Sequence, residues 1–292
     1  MTDTQNEVFK TPVNKIRLFE HGAPGSQNLK LTRKYYTEDM PDGRVKHIVQ
    51  NITDPDIVPY IPDGIGNSTD RQRIPAVLII PGGAFRRLVY NFEGEDVAKW
   101  LNSMGIAAFV LECRLPSDEH DNAEDVPLID AMRAMRVIRG RAQEFGIDEA
   151  KIGVMGFSAG GFMAALLSTA YESDVYADYK YKDEYDKLSA RPDFAVCSYP
   201  VISIDDCIEA GKRYMSEEQV LERISDSKAK ILHKYNPDKL VRPDMPPVFI
   251  CETDDDRTTL SENSVGFYMA ARKAGVSAEL HIFRTGGHGY GC

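Results

Sequence analysis

Ser158 lies in a segment that is typical of a catalytic nucleophile. Residues 156–161 read Gly-Phe-Ser-Ala-Gly-Gly and match the pattern G-x-S-x-G. Small residues two positions before and after the serine allow a sharp strand-to-helix turn, which would expose its hydroxyl at the end of the strand. The helix that follows would direct its free N–H groups toward the reacting centre. The alternative is a Gly-rich helix start that a serine merely caps.

A second segment could stabilise the charge that such a nucleophile creates. Pro81-Gly82-Gly83-Ala84-Phe85 follows an apolar stretch directly. Attack on a carbonyl produces a negative oxygen, which preorganised N–H donors stabilise. Glycines after a strand let backbone N–H groups turn inward, so we predict an oxyanion hole formed by the amides of Gly83, Ala84 and Ala159. An ordinary Gly-Gly turn is the alternative.

A serine hydroxyl needs a neighbouring base, and His288 is the candidate for that role. It lies in Gly286-Gly287-His288-Gly289, a flexible stretch just after an apolar one. The remaining histidines fall inside strand-like stretches or in polar segments away from the other candidates: His21, His47, His120, His233 and His281.

The base must be oriented by a carboxylate that accepts a hydrogen bond from its other ring nitrogen. Asp254, Asp255 and Asp256 follow another apolar stretch, and any of the three could serve. Three ionised carboxylates would repel one another, so at least one should face solvent or pair with Arg257. A solvated acidic turn accounts for the others.

The elements around these candidates predict an α/β fold. Short apolar stretches alternate with amphipathic ones, which indicates a mostly parallel sheet with helices on both faces. Ligands of such sheets bind beyond the carboxyl ends of the strands, where the candidates lie. The predicted strands are Val45–Ile52, Ile74–Ile80, Ile106–Cys113, Ile152–Gly156, Phe194–Val201, Pro247–Glu252 and Ala278–Phe283. The predicted helices are Gly94–Ser103, Val126–Phe145, Ala159–Tyr171 and Leu260–Ala274.

Four polar regions lie outside this alternation. Residues 1–44 are predicted to be an irregular lead-in, and residues 54–73 a loop. Residues 171–192 and 203–246 lie after the nucleophile, where small cap insertions over the site could occur. Solvated excursions that touch nothing are the alternative for both.

The motifs together resemble a known family. The sequence is similar to α/β-hydrolases of the acetyl-xylan-esterase and feruloyl-esterase-like group, related to the hormone-sensitive-lipase branch. The resemblance extends from about residue 12 to the end, and is carried by residues 22–26, 81–85, 130–161, 191–194, 199–203, 246–249, 262–264 and 286–291. It implies one α/β-hydrolase domain over residues 1–292, hydrolysis of small ester groups and no cofactor. Aligned from Pro246 without gaps, the family's triad aspartate falls on Asp256, with Asp255 in reserve.

The sequence departs from the family's pattern in three places. Thr258, Thr259 and Leu260 replace the apolar and proline residues that usually follow the aspartate. The chain stops four residues after His288, whereas relatives add a terminal helix, which suggests a shortened chain. The stretch 171–187 contains five tyrosines, which could present aromatic faces to a sugar or simply belong to a surface loop.

Composition limits the classes of partner and location. The 292 residues are enough for one large domain, and their net charge of -10 disfavours nucleic acid and anionic membrane surfaces. The five cysteines have no metal-site spacing, and we expect reduced thiols and no metal. The N-terminus has no signal-peptide pattern and no apolar stretch is long enough to span a bilayer, so a cytoplasmic location is expected. Assembly into a homo-oligomer is left open.

These observations predict a serine carboxylesterase that acts on small acyl esters, acetyl esters above all, with an acylated carbohydrate such as xylan as the expected substrate. An amide hydrolase of the arylformamidase type shares the same triad and fold and is one alternative. The other is a hydrolase-fold binding module without catalytic activity.

Overall fold

The computed structural model describes residue 9 and residues 13–64, 73–216, 218–220 and 229–291. Its eleven strands form two sheets. The strands are β1 Ile16–Arg17, β2 Lys34–Asp39, β3 Val45–Gln50, β4 Asp56–Tyr60, β5 Ile74–Ile80, β6 Leu88–Val89, β7 Ala107–Glu112, β8 Ile147–Phe157, β9 Ala195–Ser198, β10 Val248–Thr253 and β11 Ala278–Phe283. Their order is β1-β4-β7-β5-β8-β9-β10-β11 in the large sheet and β2-β3-β6 in the small one.

Six neighbouring strands of the large sheet, from β7 to β11, run parallel, whereas β1 and β4 pair antiparallel at one edge. The mostly parallel sheet predicted from the sequence is therefore confirmed. β5 and β7 are almost continuously buried, because a parallel strand in the centre of such a sheet is covered on both faces.

The described residues contain seven α-helices with defined bounds. They are α1 Asp96–Ser103, α2 Val126–Gly140, α3 Ala142–Phe145, α4 Ala159–Ala170, α5 Ile204–Tyr214, α6 Ala229–Lys234 and α7 Ser261–Lys273. Helix α1 lies on β7, α4 on β8 and β9, and α7 on β10 and β11. A single π-helical turn, Asn91–Glu95, precedes α1, and short 3-10 turns occur at Pro116–Asp118, Glu184–Lys187 and Pro237–Lys239.

Two sequence predictions about the N-terminal part are wrong. The stretch 1–44, predicted to be irregular, contains the strand β2, which pairs with β3 over six residues. The stretch 54–73, predicted to be a loop, contains β4 between β1 and β7. Pro59 argues against a strand in the sequence, because proline has no N–H group to donate to a neighbouring strand. It is tolerated here because it lies beyond the two residues of β4 that pair with β1.

The predicted helix 126–145 is interrupted near its end. Arg141 separates α2 from the short α3, and Gly146, with a φ of 66°, ends α3 in a left-handed conformation. The segment 171–192 lies beside α2, where Arg133 binds Asp183 and Asp186. The described part of 203–246 contains α5 and α6.

Candidate active site

Ser158 occupies a sharp turn between β8 and α4. Its φ of 53° and ψ of -117° lie outside the regions that residues with a side chain favour, as expected of a strained functional position. The two flanking glycines are needed on steric grounds. A Cβ at Gly156 would lie 2.0 Å from the Gly160 carbonyl oxygen, and a Cβ at Gly160 would lie 2.0 Å from that of Ile80.

The side chains of Ser158, His288 and Asp256 meet at one edge of the sheet. They follow β8, β11 and β10, whose carboxyl ends point the same way because the strands are parallel. His288 Nε2 lies 2.8 Å from Ser158 Oγ, and His288 Nδ1 lies 2.7 Å from Asp256 Oδ2. A proton can therefore pass from the hydroxyl to the imidazole while the carboxylate holds the ring.

Asp256 is held in its ionised form by four donors. The amides of Thr258 and Thr259 donate to Oδ1 at 2.7 and 3.0 Å, and the Thr259 hydroxyl donates to Oδ2 at 2.9 Å. Burial raises the pKa of Asp256, but the hydrogen bond and charge of His288 and these amides outweigh it, so the pKa lies below its usual value. The departures at Thr258 and Thr259 thus supply direct contacts to the carboxylate.

The other two aspartates are exposed and do not contact the imidazole. Asp255 Oδ1 accepts hydrogen bonds from the amides of Gly286 and Gly287 at 2.9 and 2.8 Å. These bonds lower its pKa, and they hold the turn that carries His288. Asp254 is an exposed residue whose amide binds the Phe283 carbonyl.

The loop after β5 lies directly against the nucleophile. A Cβ at Gly82 would lie 3.0 Å from the Ser158 Cβ. Gly83, Ala84 and Phe85 have φ values of 137°, 58° and 60°, a left-handed run that is unusual for residues with a side chain. Ala159 is the first residue of α4, where helix amides have no partner within the helix.

The segment after β11 is tied to the sheet at several points. Thr253 Oγ1 donates to the Gly287 carbonyl at 2.9 Å, and the Gly291 amide donates to the Tyr199 hydroxyl at 3.1 Å. The Tyr199 ring packs edge-on against His288, with the ring centroids 5.1 Å apart. His288 is therefore fixed by contacts on both sides, although its loop is rich in glycine.

Two buried carboxyl groups beside the site escaped the sequence analysis. Glu93 accepts from the amide of Gly82, and Glu252, at the end of β10, contacts Asp256. Neither belongs to a recognisable motif, and no local sequence pattern marks either residue as part of the site. Among the described residues, no group of acidic, histidine and cysteine side chains could hold a metal ion.

Glu252 gives the site a testable effect on stability. Burial, with a further contribution from Asp256, raises the pKa of Glu252 from 4.5 to about 9. Between these values the folded chain retains a proton that the unfolded chain releases, so this group destabilises the fold as the pH rises, by up to about 1.4 kcal/mol per pH unit. Glu252→Gln removes this loss and keeps a donor toward Asp256.

The quantity to compare is the melting temperature of Glu252→Gln minus that of the unsubstituted chain. We therefore expect this difference to be larger at pH 8 than at pH 5. Differential scanning calorimetry across this range measures the difference, and the exposed Glu149→Gln serves as control. Parallel melting profiles for Glu252→Gln and the unsubstituted chain would show that Glu252 is ionised in the fold.

The tyrosines of residues 171–187 serve mainly to attach this segment to the protein. The Tyr171 hydroxyl donates to Asp244, that of Tyr176 accepts from Arg136 of α2, and that of Tyr179 donates to the Gly22 carbonyl. The Tyr185 ring packs against Gly140, so of the five only Tyr181 is largely exposed. These contacts favour a structural role over a row of aromatic faces.

The parallel sheet, the strained serine after a central strand and the order of the three side chains define an α/β-hydrolase. The BD-FAE family model matches residues 65–270, and the chain belongs to this family. No helix in the described part of the chain has the length and apolarity needed to cross a membrane.

Two curated relatives are each 31% identical to this chain. They are an acetylxylan esterase of Xylanibacter ruminicola, over 218 residues, and the endo-1,4-beta-xylanase B of Butyrivibrio fibrisolvens, over 221 residues. The matches cover 74% and 75% of this chain but 41% and 33% of the relatives, so the chain spans less than half of their length.

Solved structures show the same architecture. The acetyl ester-xyloside bifunctional hydrolase of Caldicellulosiruptor lactoaceticus is 37% identical, with a TM-score of 0.64 over 82% of this chain and 81% of that one. The carboxylesterase Cest-2923 of Lactobacillus plantarum is 21% identical, with a TM-score of 0.63 over 89% and 85% of the two chains, and shows the fold alone.

Proposed function

We propose that this chain is a serine carboxylesterase that cleaves small acyl esters through an acyl-enzyme. The observation that carries the proposal is the pair of short contacts on His288, 2.8 Å to Ser158 and 2.7 Å to Asp256. In this arrangement the imidazole can accept the proton of the serine hydroxyl, and the buried carboxylate stabilises the imidazolium that forms.

The reaction proceeds in two steps. His288 Nε2 takes the Ser158 proton as Oγ attacks the ester carbonyl, and the amides of Gly83, Ala84 and Ala159 stabilise the resulting oxyanion. The C–O bond to the alcohol then breaks, and the imidazolium returns the proton to the leaving oxygen. Water attacks the acyl-enzyme with His288 again as base, which releases the acid and restores Ser158.

The space beside the nucleophile supports a short acyl group. A mostly apolar cavity of about 10 Å³ adjoins Gly82 and Ala159, and its wall includes Phe85, Leu115 and Met163. So small a space favours a methyl group over a longer acyl chain, which would require a larger displacement of the wall. We therefore propose acetyl as the preferred acyl group.

Met163 lines this cavity, and we expect it to control acyl preference. We expect Met163→Ala to raise the ratio of kcat/KM for butyrate to that for acetate by about tenfold, because added methylenes gain a pocket. Leu166→Ala, a buried residue of the same helix outside the cavity wall, is the matched control. Equal ratios in both variants would assign acyl selection to another wall.

The alcohol side of the ester is proposed from the relatives. Those with the higher identities are named for acetylated xylan, for xylan or for xylosides, which supports an acetylated xylan or its oligosaccharides as substrate. The net charge of -10 is compatible with a neutral sugar.

The proposal is tested by p-nitrophenyl esters of increasing acyl length, assayed beside acetylated xylan and an N-formyl anilide. We expect the highest kcat/KM on acetate, acetate release from the polysaccharide, and little cleavage of the anilide. Faster turnover of the anilide than of every ester would instead identify an arylformamidase.

A further inference from the structure

Glu93 is a carboxyl group buried inside the protein near the site, and its exposed fraction is 5%. It is placed there by the π-helical turn Asn91–Glu95, a rare form of helix that frequently occurs at functional sites. Burial raises the pKa of Glu93 above its usual value, because its hydrogen bonds and the charge of His288 lower the pKa by less. A buried carboxyl group needs hydrogen bonds that compensate for the loss of water, and Glu93 accepts such bonds through both of its oxygens.

The two oxygens of Glu93 join two separate parts of the site. Oε2 accepts a hydrogen bond from the amide of Gly82 at 2.8 Å, the residue directly before the proposed oxyanion donors. Oε1 accepts a hydrogen bond from the Tyr199 hydroxyl at 3.0 Å. The Tyr199 hydroxyl accepts in turn from the Gly291 amide at 3.1 Å, three residues after His288.

Tyr199 is fully buried and contacts the site on two sides. Its ring lies edge-on to His288, and its carbonyl oxygen lies 3.4 Å from the hydroxyl oxygen of Thr259, whose proton is donated to Asp256. It follows β9, with a φ of 37° that its other contacts must stabilise. A residue whose only role is to fill the core would need neither this conformation nor these polar partners.

We infer that Glu93 and Tyr199 are positioning residues. They fix the position of the oxyanion loop, residues 81–85, relative to the His288 loop, residues 286–291. Three hydrogen bonds join the two loops. Gly82 and Tyr199 each donate to Glu93, and Gly291 donates to Tyr199, so residues that are separated in sequence are connected. Displacement by about 1 Å of a group that acts in a transition state can cost a hundredfold in rate. This inference rests on the proposed esterase function and assigns it two further residues.

Two conservative substitutions test the link. Tyr199→Phe keeps the ring against His288 but removes the hydroxyl, and Glu93→Gln keeps the shape but turns an amide NH₂ toward one of the two donors. We expect each to lower kcat on p-nitrophenyl acetate by about tenfold or more, with KM changed by less than about threefold. The rate of phosphonylation by a fluorophosphonate should fall in parallel.

The double variant distinguishes a shared link from two independent defects. If both residues act through the same hydrogen bonds, the kcat of the double variant should lie no more than about threefold below that of the slower single variant. Multiplied losses would contradict the link. Tyr90→Phe, which removes another buried hydroxyl whose hydrogen-bond partner among the described residues is Tyr60, is the matched control and should leave kcat unchanged.

Activities are compared well below each variant's melting temperature, and the folded fraction is checked by circular dichroism. A kcat within twofold of the unsubstituted chain in both Glu93→Gln and Tyr199→Phe, or a loss confined to KM, would overturn the inference. So would a loss that merely follows the folded fraction. Ser158→Ala distinguishes failure of the proposed function from failure of this inference. If that variant stays active, the proposed function is wrong, and not only the link through Glu93 and Tyr199.

Discussion

Replacing Ser158 by alanine is expected to lower kcat on p-nitrophenyl acetate by about 10⁴-fold or more while KM changes little. The hydroxyl is the atom that attacks the carbonyl, and the oxyanion donors cannot replace it. They can still bind the ester, so a small residual rate above that in water should remain. Steady-state kinetics and active-site titration measure this loss.

A serine on the same helix provides the control for this variant. Ser168 is buried and donates to the Ala164 carbonyl at 2.7 Å within α4, so Ser168→Ala also removes a buried hydroxyl. It should retain nearly full activity. If Ser158→Ala kept a rate only tenfold below that of the unsubstituted chain, Ser158 would not be the nucleophile.

Asp256→Asn is expected to lower kcat by about 10⁴-fold, because it forces the wrong tautomer on His288. The amides of Thr258 and Thr259 donate to Oδ1, and an asparagine oxygen must occupy that position. Its NH₂ group then faces His288 Nδ1, which has to accept instead of donate. The ring proton moves to Nε2, where it blocks transfer from Ser158.

The neighbouring residue separates a role in catalysis from a role in the loop. In Asp255→Asn the side-chain oxygen can still accept from Gly286 and Gly287, so its kcat should fall by less than about tenfold. A larger loss in Asp255→Asn than in Asp256→Asn would exchange the roles that the geometry assigns to the two residues. Kinetics of the two variants under identical conditions make the comparison.

The central part of the fold could be predicted from the sequence because its signals are local. Ile74–Ile80 and Ala278–Phe283 are strands with the bounds that their apolar stretches indicate. Lys34–Asp39 was missed since it carries charges and lies in a small, half-exposed sheet where no apolar stretch is required. Asp56–Tyr60 was missed since its proline argues against a strand.

The same distinction applies to the candidate site. The G-x-S-x-G turn can be recognised because its residues are nearly consecutive in the sequence, although the contact that requires a glycine at position 160 is with the distant Ile80. Glu93 could not be recognised, because its partner Tyr199 is 106 residues away and only the sheet brings them together. Thr259 was noted as a departure from the family's pattern, yet its contact with Asp256 depends on how the loop closes.

The most direct test is the site of labelling by a fluorophosphonate, located by mass spectrometry of the digested protein. This reagent forms a bond only with a serine that a neighbouring base activates. We expect one adduct per chain, carried by the peptide that contains Ser158. An unlabelled protein, or an adduct on any other residue, would contradict it.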